Sequence, residues 1–440
     1  MTKKIIIIGG GLAGLSAAYF LNTEGMSFTL YEQNDRFGGF CKTEESNGFY
    51  YDYTGHLLHF KDQEIKSLVL DDLLKGNWFL HARKSFIYLQ DRYLKYPFQQ
   101  NLYNLPFWIK MECFFGYLLT LRLPLPKSLK IFTTKKIKSS EGINLYDWAI
   151  KYFGRGISKY FMIPYNEKIW RLAANEMSVS WMKGYVPRPS LLEVFNGTFF
   201  DSKGGLGYNA KFYYPKKGGI QALVDGFVKK LPEKRLFKNK KITEIYLHNK
   251  MVNGDKFDKL ITTMPLRTLI LDVILDVDDD IKEKAKKLKA NFVLNVNIGL
   301  KKKVIGKHWI YFPDDKFIFH RIGFINNFAE GMTPHPENGS IYTEISAKKE
   351  LDNLEWQVIE DLIKVGIIKD FTDVIDIKTL KLPDAYASYD QQHDQIVADI
   401  LAYLKKFEIY SIGRYGKWEY AAMEDAMRQG RDIAKDILNA

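Results

Sequence analysis

The spacing of apolar residues changes several times along this chain, and each change marks an element. Ile5 to Ile8 is an unbroken β-branched run, the pattern of a strand buried on both faces. Glycines follow at positions 9, 10, 11 and 14, inside a stretch that turns helical. A second apolar strand, Phe28-Thr29-Leu30-Tyr31, closes on Glu32. Strand, G-x-G-x-x-G, helix, strand and acid form the βαβ dinucleotide-binding fingerprint. Gly9 permits the tight turn, Gly11 lets backbone N–H groups approach a pyrophosphate, and Gly14 lets the helix pack closely on the strand. Glu32 is suited to accept hydrogen bonds from a ribose diol.

Beyond this unit the pattern is mixed. Leu105 to Leu125 is strongly apolar but broken by Lys110, Glu112 and Arg122. Trp108, Met111, Glu112, Phe115 and Leu118-Leu119 follow helical spacing, which predicts a buried or interface helix rather than one lying on a membrane. Pro124-Leu125-Pro126 and Pro187-Arg188-Pro189 interrupt the aromatic, helix-like region, and Gly204 to Tyr214 is rich in glycine and aromatics. Lys240 to Met264 reads as short strands: Ile242 to Tyr246, a turn at Asn253-Gly254-Asp255, then Lys259 to Thr263 before Met264-Pro265. Alternation from Asn291 to Ile345, including Asn291 to Leu300 and His308 to Phe312, predicts a sheet. The C-terminal stretch is Gly413-Arg414 followed by a helix.

Cofactor-like features thus stand at the start, middle and end of the chain. The expected fold is α/β. A discontinuous Rossmann-type cofactor domain takes 1–85, 204–290 and 385–440. A mostly helical substrate or interface domain takes 86–203, and a mixed or antiparallel β-sheet substrate domain takes 291–384.

Composition narrows the chemistry. In 440 residues there are two cysteines, Cys41 and Cys113, which argues against a disulfide scaffold and suits a reducing compartment. The net charge of +12 suits an anionic ligand. The lysine clusters at 135–136, 240–241, 286–287 and 301–303 are dispersed and read as solvated surface. No motif points to nucleic acid, and no Cys/His cluster has metal-ligand spacing. With no run of about 18 apolar residues and no leader-like start, a cytoplasmic chain acting on a small molecule is expected.

Several short motifs add a resemblance. Gln33 to Phe37 and then Gly38-Gly39 follow Glu32, and this resembles the extended motif of the FAD-binding amine-oxidase and glutathione-reductase superfamily. Pro215-Lys216-Lys217-Gly218-Gly219, Thr262-Thr263-Met264-Pro265 and Gly413-Arg414 are similar to later segments of the same group. The resemblance implies an FAD site made by Gly9, Gly11, Leu12, Ala13, Gly14, Glu32, Gln33, Gly38, Gly39, Phe40, His56, Leu57, Ile242, Thr263, Gly413, Arg414 and Met423. Arg414 would be a charge-assisted donor to the pyrophosphate.

Asp52-Tyr53-Thr54-Gly55-His56-Leu57-Leu58-His59-Phe60 resembles the histidine segment of UDP-galactopyranose mutases. Tyr96 to Asn101, Pro164-Tyr165-Asn166-Glu167-Lys168-Ile169-Trp170, Tyr311-Phe312-Pro313 and Phe319-His320-Arg321 resemble further segments of that family. The likeness implies that His56 supports the flavin. It implies that Arg321, Tyr311, Tyr386 and Tyr420 grip a substrate diphosphate, with Tyr165, Asn166 and Trp170 near the substrate. It also implies pyranose–furanose isomerisation of a nucleotide sugar by reduced FAD, with NAD(P)H as an external reductant, in glycan or cell-surface polysaccharide synthesis. Several positions depart from the family: Thr54 and Leu58 in the histidine segment, His320 where the mutases have Tyr or a similar aromatic before the arginine, and Tyr185 where they carry a second diphosphate arginine, four residues after Trp181. A phenol is no fixed cation. Either Arg188 or Lys183 reaches the same phosphate, or the leaving group carries less charge, or the chemistry is that of an FAD-dependent oxidoreductase of the protoporphyrinogen oxidase or amine oxidase type.

Overall fold

Strand β1 (Ile5–Ile8) runs into helix α1 (Leu12–Thr23) and returns as β2 (Phe28–Tyr31). In the computed structural model, which describes residues 3–121, 142–182, 186, 188–201 and 210–439, β1 lies at the centre of a five-stranded parallel sheet. The order is 409–411, 259–262, β1, β2 and 236–237. The run of isoleucines is explained by this position. Ile5 and Ile7 enter an apolar core with α1, and Ile6 and Ile8 enter a second core with residues of the 242–288 segment. The helix Met423–Asn439 lies along α1, where a Cβ on Gly430 would stand 2.6 Å from Ala13 O and from Ala17 N. Start, middle and end of the chain therefore meet in one sheet. Arg122, Pro124 to Pro126, Lys135-Lys136, Lys183, Tyr185, Pro187 and residues 204–209 lie outside the described residues.

A second, seven-stranded sheet contains β3 (Ala290–Leu300), β4 (Trp309–Tyr311), β5 (Arg321–Phe324), β6 (Gly339–Ala347) and β7 (Val374–Ala387). The order is β7-β3-β6-β5-β4, continued by the strands Ser85–Leu89 and Arg92–Lys95. Neighbours are antiparallel except β4, which runs parallel to Ser85–Leu89. Leu294, Val296, Ile298, Ile322, Ile341 and Ile345 put one face into an apolar core. Side chains alternate along a strand, so Asn295, Asn297, Arg321, Tyr342 and Glu344 line the other face. This polar face carries the site described below.

Two boundaries differ from the sequence-based expectation. The hairpin 85–95 belongs to the sheet and not to the helical insert. Gln90 and Asp91 turn it with φ of +53° and +55°, the two-residue turn whose twist matches antiparallel strands. Strand β7 also runs on to Ala387 rather than ending at 384.

The helical module contains α2 (Phe107–Thr120), α3 (Leu145–Ile157), α4 (Ile163–Trp170) and α5 (Leu191–Phe199). Glycines bring α2 and α3 into backbone contact. A Cβ on Gly154 would lie 2.1 Å from Gly116 O, and one on Gly156 would lie 2.5 Å from Cys113 N. Gly154 has φ +74° and breaks α3 at the crossing. This contact decides how α2 is turned. Ile109, Cys113 and Tyr117 face inward, whereas Trp108 and Phe115, expected from their spacing to be covered, face outward. Close approach on the glycine side outweighs burial of the broader aromatic stripe.

Gly156→Ala is expected to destabilise the fold by about 1–3 kcal/mol through overpacking against the α2 backbone, read as a lower denaturant midpoint. Gly331→Ala, whose Cβ meets nothing closer than 3.8 Å, is expected to leave that midpoint unchanged.

Candidate functional site

The glycine turn after β1 makes an anion cradle. Gly9, at φ +96°, donates to Tyr31 O at 2.8 Å, and its missing Cβ makes room for Thr263 Oγ1. A Cβ on Gly14 would lie 2.0 Å from Gly9 O, so the third glycine is required for α1 to start where it does. Gly11 is the N-cap of α1 and offers no side-chain cap, which leaves the first-turn N–H groups for an anion. Gly38 donates to Gly10 O at 2.8 Å, and the second glycine pair lies against the first. Glu32 is buried at the end of β2, accepting from Gly10 N at 2.7 Å and from Asn34 at 2.9 and 2.6 Å. Gly413, at φ +79°, packs on Ala13 and donates to Gln429.

The register of the second sheet builds the other half. Tyr311 on β4 lies opposite Arg321 on β5, and Arg321 lies opposite Glu344 on β6. Arg321 Nε and Nη2 donate to Glu344 Oε1 at 3.0 and 2.7 Å, and Nη2 also reaches Oε2 at 2.7 Å. The pair does not use Nη1. His320 Nε2 lies 3.3 Å from Glu344 Oε2. Burial alone would raise the Glu344 carboxyl, but Arg321 and His320 outweigh it and hold its pKa down at about 2. Burial pushes His320 and His56 down to about 4, so both are neutral at pH 7.

Aromatic rings form an arc around this pair. Tyr96 meets Tyr311 (centroids 4.9 Å apart), Tyr311 meets Tyr165 (5.4 Å), and Tyr165 faces His320 (6.4 Å). His320 faces Tyr386 (6.3 Å), which stacks on Tyr420 (6.2 Å). An arginine stands at each end. Arg83 lies over Tyr96 at 4.8 Å, and Arg414 lies over Tyr420 at 4.9 Å and Tyr386 at 5.4 Å. Burial raises the phenols of Tyr165, Tyr311 and Tyr386, which stay protonated and able to donate. The His56 loop joins the arc through Tyr342, whose ring fills the spaces left by Gly55 and Gly323. His56 Nδ1 is inaccessible and has no hydrogen-bond partner among the described residues.

The other expected residues are placed as follows. Phe40 packs on Tyr53 and Tyr415, and Leu57 borders a core with Phe212. Ile242 is a core side chain, Met423 flanks the α1 core, and Gln33 is exposed. Arg414 gives both Nη atoms to backbone carbonyls, of Ala421 (3.1 Å) and Ala385 (2.7 Å), at the seam between the two halves. Asn166 is buried and turns back to Met162 O at 2.6 Å. Trp170 stands behind Tyr386 and Tyr420 as a wall. Arg188 is not brought to the arc. It is exposed, over the Tyr152 ring and 3.4 Å from Thr120 Oγ1, and the next residue is tied to α2 by Tyr117, whose hydroxyl donates to Pro189 O. Arg83 and Glu344 were not anticipated. A lone glutamate in an otherwise uncharged, fully buried strand was the available signal for Glu344; Arg83 had none. Among the described residues no group of His, Cys, Asp and Glu could hold a metal ion.

Parts of the sequence and the overall fold are similar to known proteins. A family model described as an NAD(P)-binding Rossmann-like domain matches residues 7–72. The 4,4'-diaponeurosporene oxygenase of Staphylococcus aureus (strain USA300) is 54% identical over 52 residues, 12% of this chain and only 10% of that protein. A reduced UDP-galactopyranose mutase superposes with a TM-score of 0.88 and 25% identity, covering 100% of this chain and 96% of the other. An Exiguobacterium sp. 255-15 protein, solved under a provisional protoporphyrinogen oxidase name, superposes at 0.75 and 15% identity over the full length of both chains, a likeness of fold. The chain carries a UDP-galactopyranose mutase-like fold, with a Rossmann-like unit at its start.

The folded Glu344 pKa lies below the ordinary value of 4.5, so the Arg321 pair stabilises the fold above that pH and is lost as pH falls toward 2. Glu344→Gln, which leaves Arg321 unpaired, is expected to cost about 3 kcal/mol or more at pH 7. The gap to wild type should narrow from pH 4.5 downward in denaturant titrations.

Proposed function

We propose that the protein is an FAD-dependent enzyme acting on a nucleotide-activated sugar in the manner of UDP-galactopyranose mutase. In this reading it interconverts pyranose and furanose forms for glycan or cell-surface polysaccharide synthesis. The observation that carries the reading is the lateral register Tyr311–Arg321–Glu344, flanked by Tyr165, Tyr386 and Tyr420. It puts a guanidinium and several phenolic donors on one face, a donor set suited to a diphosphate. The whole-length likeness to a reduced UDP-galactopyranose mutase supports it.

FAD fits the other half. The Gly9–Gly14 turn and Gly38-Gly39 would take the pyrophosphate, Glu32 the ribose, and Thr263, Gly413 and Arg414 would close the site. The inaccessible, unpartnered His56 Nδ1 suits a polar atom of the isoalloxazine. Bound FAD would supply, in its reduced form, a nucleophile toward the anomeric carbon, with NAD(P)H as the proposed external reductant. The chain's own work is then to orient the sugar and to receive the negative charge of the departing diphosphate on Arg321 and the phenols.

A second reading, an oxidoreductase of the protoporphyrinogen oxidase or amine oxidase type, draws on two facts. Glu344 already neutralises Arg321, and Tyr185 is no arginine. One experiment separates the two. Furanose product from UDP-galactopyranose that appears only with dithionite-reduced enzyme supports the mutase. Bleaching of the flavin by an added reductant substrate, with oxygen uptake and no sugar isomerisation, overturns it.

Arg321→Ala is expected to weaken sugar-nucleotide affinity by about 100-fold or more while the flavin-to-protein ratio stays unchanged. Because this variant leaves Glu344 buried and unpaired, Arg321→Lys is the control; it keeps the charge and is expected to lose about tenfold or more with the bidentate fork. Unchanged affinity in both removes Arg321 from the substrate site.

A further inference from the structure

We propose that the face formed by α2 and α5 docks on an anionic lipid surface. Phe107, Trp108 and Phe115 on α2, with Leu192 and Phe200 at the two ends of α5, point away from the molecule. Trp108 is 76% exposed and Leu192 72%. The two helices share an aromatic seam: Phe114 reaches across from α2 to Phe195 (ring centroids 6.0 Å apart) and Phe199 (5.3 Å), with Phe115 beside Phe114 (5.5 Å) and Phe200 beside Phe195 (6.4 Å). Single exposed apolar side chains are ordinary, whereas a contiguous aromatic patch on two adjoining helices marks an interaction surface.

Charge selects the occupant. Lys110 borders the patch on α2, over the Tyr103 ring, and exposed Arg188 precedes α5. The neighbouring carboxylates are already engaged. Glu112 pairs with Lys159 and Tyr160, Glu193 caps Ser190 and takes Gln100, and Asp201 pairs with Lys95. Aromatic side chains bordered by cations suit the headgroup zone of anionic lipids, where rings sit at the boundary and Lys or Arg meets phosphate. No helix among the described residues is long and apolar enough to cross a membrane, so this contact is peripheral. A second copy seated on the same face would set like charges against each other.

Flotation of the full chain with phosphatidylcholine vesicles, with or without about a third phosphatidylglycerol, is the test. Binding to the anionic vesicles is expected to exceed binding to phosphatidylcholine alone by about tenfold or more, and to fall with added salt. Trp108→Ser/Leu192→Ser is expected to lose about tenfold or more of that binding at an unchanged unfolding midpoint, since both side chains are exposed. Lys110→Glu, which keeps every apolar group, is expected to lose roughly tenfold. Absence of flotation with anionic vesicles overturns the proposal, and so does equal flotation of these variants. A wild-type dimer that the same substitutions dissociate also overturns it and assigns the face to a second copy.

Discussion

A carboxylate buried within a sheet has to be paired, and that requirement organises the site. Glu344, with a side chain 1% exposed, would be prohibitively costly as a lone charge. The antiparallel register between β5 and β6 puts Arg321 directly opposite it, and both nitrogens on that side of the guanidinium are used. Arg321 is thereby held in one orientation. Tyr311, opposite Arg321 on the other side, acquires a fixed neighbour, and the arc from Arg83 to Arg414 closes around the pair. A pre-paired arginine has a smaller net charge than a free one but a better-defined position, and position is what recognition of a leaving group needs.

Beside the arc, the two halves of the molecule meet at Tyr342 and Arg414. Tyr342 projects from β6 into space that only glycine leaves open, at Gly323 beside it and at Gly55 in the His56 loop. Arg414 holds carbonyls on both sides of the seam and lies on the rings of Tyr386 and Tyr420. A group seated on the glycine turn of the Rossmann unit would thus end beside the tyrosine arc. In the proposed reading the Rossmann half is a general cofactor cradle, and the arc supplies the selectivity for substrate.

What could be read from sequence follows the range of the interactions. The βαβ unit was legible because its determinants are local: a β-branched run, glycines at steric pinch points, and an acid at a strand end. The tyrosines and Arg321 were legible only by resemblance, since nothing local distinguishes them among 27 tyrosines. The hairpin 85–95 looked like part of the helical insert because its sheet partner, β4, is remote in sequence. Which face of α2 turns inward was not legible, because Gly116, Gly154 and Gly156 decide it and a glycine contributes nothing to an apolar stripe. Arg188, sought as a replacement cation for the position held by Tyr185, is tied to the outer helices instead.

The most direct measurement is a crystal structure of the flavin-loaded protein with UDP. The expected result has diphosphate oxygens about 3 Å from the Arg321 guanidinium, on its Nη1 side, and from the hydroxyls of at least two of Tyr311, Tyr386 and Tyr420. UDP bound elsewhere, or a tyrosine arc that excludes it while admitting an uncharged ligand, would contradict a nucleotide-sugar site.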